Sequence, residues 1–494
     1  MPTHYAIRHL TRFTYESPVS ESVMELRMRP ATDGPQRCLQ FEVDLQPRAH
    51  VQLDPPPARA LCSVLRPATE SRCTEGLPMK CRVALLLAIA VGLALQAEAD
   101  QLPAAKPESV GLSSARLERL AAAIRKDVDQ GSMPGAVVAI ARKGKLAYYE
   151  AFGFLDKAAQ TPMPKDAIFA LASMTKPLAA VATLLLAEQG DLLLNDPVGN
   201  YLPALKDMKV ATAAGTEPAR RQPTLQDMLR HTAGVSYGNR GDTPLHKRYG
   251  AAVTSAATQS APEFLQALST LPLFYQPGTQ WEYSYGLDVA ALAVEAVTKK
   301  RLGVFLQERL FGPLGMVDTG FVVPAAKAAR IAKPLPVDPD TGRPVAFRVP
   351  VTPSQYDCGG GCAQATALDY LRFAQMLLNK GTLDGTRILS RKTVEYMTAN
   401  HLASSVDASR LNEFAVEHMD GFGFGLGVAV RTQAGVAGVP GTPGEFLWSG
   451  AQGTMFWVDP EEEMAVVFLA NTPGPVRRHY RELVKLLVVQ AIVD

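Results

Sequence analysis

The sequence lacks several features that mark common functional classes. It has no long run of acidic or basic residues, and its formal net charge is only +2 over 494 residues. Proteins that bind nucleic acids normally concentrate basic residues on one face, so this composition argues against a nucleic-acid partner. The chain also contains no internal repeat, which argues against a repeat architecture.

Cysteine is scarce and unevenly placed. Of the six cysteines, four precede residue 82, and Cys358 and Cys362 share one short segment. Their spacing does not match a zinc site, which needs two pairs of ligands or matching histidines, so we expect no metal and no other cofactor. Cys358 and Cys362 could close a small disulfide in an oxidising compartment. Two unpaired thiols are the favoured interpretation.

Lysine is absent from the first 78 residues, although the rest of the chain uses it freely. Residues 5–15 alternate and are rich in β-formers, which predicts a strand. Together with Pro18-Val-Ser and Leu26-Arg-Met-Arg-Pro30, they make residues 1–55 resemble the N-terminal β-region of bacterial transglutaminase-like proteins. The catalytic domain of that family has no counterpart here. We interpret residues 1–78 as a truncated β segment and linker, or as an upstream reading frame joined to the main gene.

Residues 79–99 have the three parts of a secretory signal. Two basic residues precede an unbroken apolar run from Val83 to Leu95, and Ala97-Glu98-Ala99 is a small-x-small cleavage site. A buried core helix is the weaker alternative, and the run is too short for a stable membrane span, which needs about 20 residues. If translation starts at Met79, we expect a periplasmic or secreted protein; otherwise we expect a cytoplasmic one.

From residue 100 to residue 494 the patterns predict one α+β domain. A helix capped by Ser113 or Ser114 is expected to extend to about Gln130, and an amphipathic helix should follow residue 475. Hairpins are predicted near both ends of the domain, across Lys143-Gly144 and across Asp459-Pro460. These elements indicate one antiparallel sheet built from both chain ends and flanked by helices, with a helical region inserted.

Ser173-Met174-Thr175-Lys176 is the first of three motifs that carry chemistry. Positions three apart lie on one face of a helix, so a helix from Ser173 to Gln189 would hold the lysine amine beside the serine hydroxyl. A serine is a poor nucleophile until a neighbouring base takes its proton. A lysine serves as that base when desolvation or nearby positive charge lowers the pKa of its ammonium group. By itself, however, Ser-x-x-Lys arises by chance in many chains.

The other two motifs lie further along the chain. Tyr283 follows a Pro277-Gly278 turn and precedes a predicted helix, and a tyrosine there can pass a proton if a lysine cation is near. The segment Trp448-Ser449-Gly450-Ala451 is predicted to start a strand. A backbone N–H on an edge strand, beside a glycine that permits close approach, is a natural oxyanion donor.

The order and spacing of the three motifs resemble those of the class C β-lactamase-like serine hydrolases, and most closely those of the family VIII carboxylesterases. Supporting phrases are Leu229-Arg-His-Thr-Ala-Gly234, Ala365-Thr-Ala-Leu-Asp-Tyr370 and Gly421-Phe-Gly-Phe-Gly-Leu-Gly427. The resemblance covers about residues 104–494. It implies the fold of β-lactamases and penicillin-binding proteins.

The resemblance also implies roles for individual residues. Ser173 would be the acylated nucleophile, and Lys176 and Tyr283 would share the general-base and general-acid work. The backbone N–H groups of Ser173 and Ala451 would form the oxyanion hole. The alternative is that these side chains are a helix cap, a surface lysine and a core tyrosine.

Two departures from the β-lactamase pattern concern substrate binding. Tyr285 stands where those enzymes have asparagine, and Trp448-Ser449-Gly450 stands where they have Lys-Thr-Gly. The missing amide and the missing cation would have bound the acyl amide and the carboxylate of a β-lactam. Tyr285, Trp448, Ser449 and Gly450 are therefore expected to bind substrate, with Trp448 as an apolar wall. Ordinary packing is the alternative for Trp448.

Two further features receive structural interpretations. His231 could serve as a base, but a histidine in such a turn is more often a satisfied structural group, and Ser-Lys-Tyr chemistry does not require it. Gly359-Gly360-Gly361 lacks the Lys-Ser/Thr that follows a phosphate-binding loop. We expect a flexible loop beside the active-site cleft instead.

Three functions remain open at this point. The first is a serine carboxylesterase that acts on small-molecule esters with short acyl chains. The second is a β-lactamase or D-amino-acid peptidase, and the third is a non-catalytic binding module of the same fold. Residues 1–99 are expected to be dispensable for catalysis, because all three motifs follow residue 170. The oligomeric state does not follow from the sequence.

Overall fold

The computed structural model describes residues 50–53, 62–65, 102–345, 351–413 and 419–494. The chain divides into two units, Met1–Gln96 and Ala97–Asp494. In the first unit, strands β1 (His50–Leu53) and β2 (Cys62–Leu65) form an antiparallel pair. The predicted strand at residues 5–15 and the signal-like segment at residues 79–99 lie outside the described residues.

An eight-stranded antiparallel sheet is the centre of the second unit. It combines five strands from the end of the chain with three from the beginning. Across the sheet the strands are β12 (Phe422–Phe424), β13 (Ala429–Arg431), β14 (Phe446–Ser449), β15 (Met455–Asp459), β16 (Met464–Ala470), β3 (Gly135–Arg142), β4 (Lys145–Asp156) and β5 (Thr161–Pro162). The predicted α+β layout, with one sheet from both chain ends, is therefore confirmed.

The two chain ends meet in the middle of this sheet. Strand β16 pairs with β3 in a register that runs from Met464 opposite Arg142 to Ala470 opposite Ala136. Every residue of both strands is buried, as expected for strands that are covered on both faces. The predicted hairpin turns at Lys143 and Gly144, whose φ angles of 52° and 73° are typical of a tight two-residue turn.

Helices cover the sheet and form the inserted region. Helix α8 (Ala367–Leu378) packs against β3, β15 and β16, whereas α1 (Ser114–Asp129) packs against β4 and α11 (Val476–Val489). Further helices are α2 (Thr175–Gln189), α3 (Leu225–Leu229), α4 (Pro244–Ala252), α5 (Ala261–Ser269), α6 (Gly286–Thr298), α7 (Leu302–Leu306), α9 (Arg391–Met397) and α10 (Ser409–Glu413). Within the described ranges, no helix is long and apolar enough to cross a membrane.

Short elements complete the second unit. The short strand pairs are β6 (Phe169–Ala170) with β9 (Gln364–Ala365), β7 (Lys209–Thr212) with β8 (Gly215–Pro218), and β10 (Thr382–Leu383) with β11 (Thr386–Arg387). Short stretches of 3₁₀ or π-helix occupy Pro107–Val110, Ala172–Met174, Val198–Asn200, Pro203–Leu205, Gln307–Phe311 and Ala325–Arg330. The pair of β6 and β9 matters for function, because it joins the segments that precede Ser173 and follow Cys362.

Helix α2 lies at the centre of the inserted region. Its residues are buried from Thr175 to Leu186, and it packs against α6. A helix that is apolar on all sides belongs in the interior of a domain. The helix ends at Gly190, as predicted, but it begins at Thr175 rather than Ser173. Ser173 lies in the 3₁₀ turn Ala172–Met174, which leads directly into α2.

Candidate active site

Ser173 occupies a tightly held turn between β6 and α2. Its neighbour Ala172 has a φ of 46°, a conformation that costs free energy for a residue other than glycine. The turn is held because the Thr175 hydroxyl donates to the Ala172 carbonyl at 2.7 Å, and because the Leu171 N–H donates to the Ala363 carbonyl at 3.0 Å. These bonds present the half-buried Ser173 at the end of a buried helix.

Lys176 is brought to Ser173, as the spacing predicted. Its side chain is fully buried, and its Nζ donates to Ser173 Oγ at 3.5 Å. The same Nζ donates to the Tyr237 hydroxyl at 3.1 Å and to the Gly360 carbonyl at 2.7 Å. A lysine that is buried with three acceptors is held in one geometry, so the nucleophile and its neighbour are positioned before any substrate arrives.

Tyr283 joins the same cluster from the segment that precedes α6. Its side chain is 5% exposed, and Lys176 Nζ lies 4.5 Å from the centre of its ring. The rings of His231, Tyr237 and Trp448 surround it at centroid distances of 4.7, 5.3 and 5.6 Å. The structure thus brings together the three side chains that the motifs proposed as catalytic.

The third motif lies elsewhere in its strand than predicted. Trp448 and Ser449 end β14 rather than start it, and Gly450 and Ala451 form the turn that follows. Strand β14 is also an internal strand, paired with β13 and β15, and not an edge strand. The sequence pattern misplaced the motif because a short apolar run does not show which end of a strand lies beside the nucleophile segment.

Gly450 brings the turn of the third motif against the nucleophile segment. A Cβ atom at Gly450 would clash with the Leu171 carbonyl oxygen and the Thr454 hydroxyl, so only glycine permits this approach. The Thr454 hydroxyl in turn donates to the Leu171 carbonyl at 3.1 Å. Ala451 follows Gly450 directly, so this contact brings the Ala451 peptide near the segment that leads to Ser173. The backbone N–H groups of Ser173 and Ala451 stay the predicted oxyanion donors.

The expected substrate-binding side chains differ in exposure. Trp448 is only 1% exposed, and its ring packs against the rings of Tyr283 and Phe424. The Trp448 ring therefore helps to hold Tyr283 in place. Ser449 is buried as well. Tyr285 is half-buried, with its ring 4.2 Å from that of Tyr237. Burial, with a smaller contribution from Asp288, raises the pKa of Tyr285 to about 12.

Two residues near the site were missed by sequence reasoning. Tyr237 places a second hydroxyl on Lys176, and burial, followed by the charge of Asp288, raises the pKa of Tyr237 well above its ordinary value. Arg481, from α11, donates to the Gly450 carbonyl, which belongs to the same peptide unit as the Ala451 N–H. The phrase at residues 229–234 lies just before Tyr237 and could have drawn attention to it, whereas no motif indicates Arg481.

The cysteine expectation was wrong. Cys358 and Cys362 form a disulfide, with their Cα atoms 5.3 Å apart. The glycine loop between them also differs from the flexible loop expected, since Gly359 and Gly360 are buried and Gly360 contacts Lys176. No group of three or more metal-binding side chains is present among the described residues.

His231 is a buried neighbour of the cluster. Its Nδ1 lies 3.1 Å from Ser284 Oγ, and the residue adopts a φ of 60°. Burial, and then the charge of Lys176, hold the pKa of His231 well below its ordinary value. The ring therefore stays neutral at physiological pH, which favours the structural interpretation over a role as proton carrier.

The lowered pKa of His231 predicts that the stability of the protein depends on pH. Below the ordinary pKa of about 6.5, the unfolded chain binds a proton that folded His231 excludes, so the free energy of unfolding should fall as pH drops from 7 to 5. His231→Asn should reduce that slope by up to about 1.4 kcal/mol per pH unit, because asparagine does not titrate and tolerates positive φ. Denaturant unfolding at several pH values measures the slope of the unfolding free energy against pH. The exposed His479→Asn is the control, and an equal slope in wild type and His231→Asn would contradict the prediction.

Comparisons with known proteins identify the family. The sequence profile described as Beta-lactamase matches residues 120–490, three quarters of the chain. The chain belongs to the beta-lactamase family. An uncharacterized protein of Mycobacterium tuberculosis is 36% identical over 358 residues, which cover 70% of this chain and 88% of that protein. Esterase EstB of Burkholderia gladioli is 31% identical over 389 residues, which cover 74% of this chain and 93% of EstB.

A solved structure supports the same beta-lactamase-family fold. It is that of EstCE1, titled a hydrolase with promiscuous acyltransferase activity, with a TM-score of 0.64 and 25% identity. The match covers 76% of this chain and 98% of EstCE1. The predicted fold of β-lactamases and penicillin-binding proteins is thus confirmed. The N-terminal resemblance is confirmed too, because the profile of the bacterial transglutaminase-like N-terminal region matches residues 5–59.

Proposed function

We propose that this beta-lactamase-family enzyme is a serine carboxylesterase that hydrolyses short-chain acyl esters through an acyl-enzyme on Ser173. The observation that carries the proposal is the fully buried Lys176, whose Nζ lies within 3.5 Å of Ser173 Oγ and beside the ring of Tyr283. EstB and EstCE1, named an esterase and a hydrolase, support the choice of an ester as substrate.

This geometry supports the following acylation step. Ser173 Oγ attacks the ester carbonyl carbon, and its proton passes to the Lys176–Tyr283 pair. The carbonyl oxygen becomes an oxyanion, which the N–H groups of Ser173 and Ala451 bind. Collapse of this intermediate breaks the carbon–oxygen bond of the ester, and the same pair returns the proton to the departing alkoxide. The products are the free alcohol and the acyl ester of Ser173.

Deacylation repeats these events with water as the nucleophile. The Lys176–Tyr283 pair takes a proton from water, which attacks the acyl carbon, and the oxyanion forms in the same hole. The bond to Ser173 Oγ then breaks, and the serine recovers its proton as the carboxylic acid leaves. The Lys176–Tyr283 pair accepts a proton and then donates it in both acylation and deacylation, so the reaction needs no additional titrating side chain.

Substrate choice rests on the residues around Tyr283. Trp448, Tyr285 and Tyr237 give this region an aromatic character, and the third motif contains no cation. A β-lactam carboxylate loses a charge-assisted hydrogen bond where that cation is missing. An ester has no carboxylate to satisfy, so the aromatic surroundings favour it.

Profiling two substrate classes tests this proposal. The kcat/KM for a p-nitrophenyl butyrate ester should exceed that for a chromogenic cephalosporin by at least about a hundredfold, and acetate and butyrate esters should be better substrates than the laurate ester. Ser173→Ala protein, assayed in parallel, gives the background rate. Equal kcat/KM values for the cephalosporin and the butyrate ester would favour the β-lactamase alternative.

A fluorophosphonate probe addresses the non-catalytic alternative. The probe reacts covalently with activated serines, so a binding module without catalytic machinery would remain unlabelled. We expect labelling of Ser173, identified by peptide mass spectrometry. The absence of label on Ser173 in folded protein would favour a binding function.

A further inference from the structure

A five-residue loop closed by a disulfide lies directly beside Lys176. The bond between Cys358 and Cys362 encloses Gly359, Gly360 and Gly361. Inside the loop, the N–H groups of Gly361 and Cys362 both donate to the Cys358 carbonyl, at 3.4 and 3.3 Å. The loop is therefore a compact turn with its ends tied together.

The middle residue of the loop connects Lys176 to a buried carboxylate. The Gly360 carbonyl accepts from Lys176 Nζ at 2.7 Å, the shortest of the three hydrogen bonds of that nitrogen. The Gly360 N–H donates to Asp288 Oδ1 at 2.9 Å. Asp288 is 4% exposed and lies in α6, the helix that follows Tyr283. The carbonyl of Gly360 thus holds Lys176, and the N–H of Gly360 is itself held by Asp288.

Close packing explains why the loop consists of glycine. A Cβ atom at Gly360 would clash with the Asp288 carboxylate, and one at Gly359 would lie 2.6 Å from the Ala291 Cβ. On its other side, the loop is tied to α2, because the Ala363 N–H donates to the Thr175 hydroxyl at 3.0 Å. The loop fills the space between the helix that carries Lys176 and the helix that follows Tyr283.

Three consecutive glycines have more backbone freedom than any other three residues. Without the disulfide, the two hydrogen bonds of Gly360 would have to offset that flexibility. The contact with Lys176 would then be lost whenever the loop moved. A covalent link between the residues on either side removes most of the alternative conformations. The disulfide therefore has a physical effect at the site, through the loop that it closes.

We propose that the Cys358–Cys362 disulfide is a positioning element of the active site, which holds the Gly360 carbonyl on Lys176 and makes turnover sensitive to reduction. The proposal rests on the proposed esterase function. A dithiol such as dithiothreitol supplies two electrons and two protons, breaks the sulfur–sulfur bond to give two thiols, and is itself oxidised to a cyclic disulfide. The freed loop then holds Lys176 less closely beside Ser173.

The test compares full-length protein before and after treatment with dithiothreitol. Peptide mapping under non-reducing conditions should show the linked Cys358–Cys362 peptide. On reduction, kcat for p-nitrophenyl butyrate should fall roughly tenfold, with KM changed less than about twofold, because misplacement of the base affects chemistry more than binding. Hydrogen exchange of residues 355–365, followed by mass spectrometry, should become faster.

The double variant Cys358→Ser/Cys362→Ser is the control. It should show the low kcat without dithiothreitol and no further loss with it, and reoxidation should restore only the wild type. Each of three results would overturn the proposal. They are a peptide map in which Cys358 and Cys362 are not linked, an equal kcat in wild type and double variant, and hydrogen exchange of residues 355–365 that does not change on reduction.

The exchange experiment separates this proposal from the proposed function. If the oxidised protein hydrolyses no ester, the esterase function fails. Hydrogen exchange and the rate of fluorophosphonate labelling of Ser173 still report on the loop, and both should respond to reduction. If ester hydrolysis is strong but insensitive to dithiothreitol, the esterase function stands and the disulfide has no part in it.

Discussion

Replacement of Ser173 with alanine should reduce ester turnover by about 10⁴-fold or more. The variant lacks the oxygen to which the acyl group is attached, so no acyl-enzyme can form. The fold should persist, because Ser173 lies in a 3₁₀ turn and its side chain caps no helix. Within the described residues, the side-chain hydrogen bond that the variant loses is with Lys176 Nζ, at 3.5 Å, and a bond of that kind contributes about 1 kcal/mol.

Initial rates with p-nitrophenyl butyrate, measured together with the melting temperature, check this result. Ser236→Ala is a matched control, because Ser236 is buried and its hydroxyl donates to Glu282 Oε1 at 2.7 Å. That variant should lose stability and keep its rate per folded molecule. More than a trace of activity in purified Ser173→Ala protein would contradict the nucleophile assignment.

Lys176→Met should lower kcat by about 10²–10⁴-fold. Methionine fills a similar volume but cannot take the serine proton. It also leaves the Gly360 carbonyl and the Tyr237 hydroxyl without their bond to Lys176, which should cost about 1–3 kcal/mol of stability for each buried group that finds no other partner. The variant should therefore be less active than wild type, and it should be less stable than Ser173→Ala protein.

Fluorophosphonate labelling separates the two effects of Lys176→Met. Labelling of Ser173 should slow in parallel with kcat, even at temperatures where the variant is fully folded. Lys165→Met is the control, since Lys165 is exposed and pairs with Glu150 at the surface, where such pairs contribute little. Normal labelling in folded Lys176→Met protein would show that another group activates Ser173.

The local elements of this fold follow from short stretches of sequence. Ser113 caps α1 and accepts a hydrogen bond from the Arg116 N–H, as its position before an amphipathic run predicted. The hairpin of β3 and β4 follows from apolar strands on either side of Lys143-Gly144. The spacing from Ser173 to Lys176 was sufficient to predict their contact, because three residues make about one turn of helix.

The contacts between distant segments required the three-dimensional structure. Tyr237 contacts Lys176 across 61 positions of sequence, and Gly360 contacts it across 184. No local pattern specifies such pairs, because they depend on how helices and loops pack around α2. The disulfide was misjudged for a related reason: Cys358-Gly-Gly-Gly-Cys362 is flexible enough to be open or closed, and its packing against α6 is not visible in the sequence.

The sequence by itself therefore determined the antiparallel sheet, its construction from both chain ends, and the identity of Ser173, Lys176 and Tyr283 as a group. Only the tertiary structure decided that Trp448 ends an internal strand and that Gly360 is the nearest acceptor for Lys176. The physical reason is the range of the interactions. Helix capping, hairpin turns and one-turn spacing act within a few residues, whereas strand order and loop packing depend on close fit among segments that are far apart in the chain.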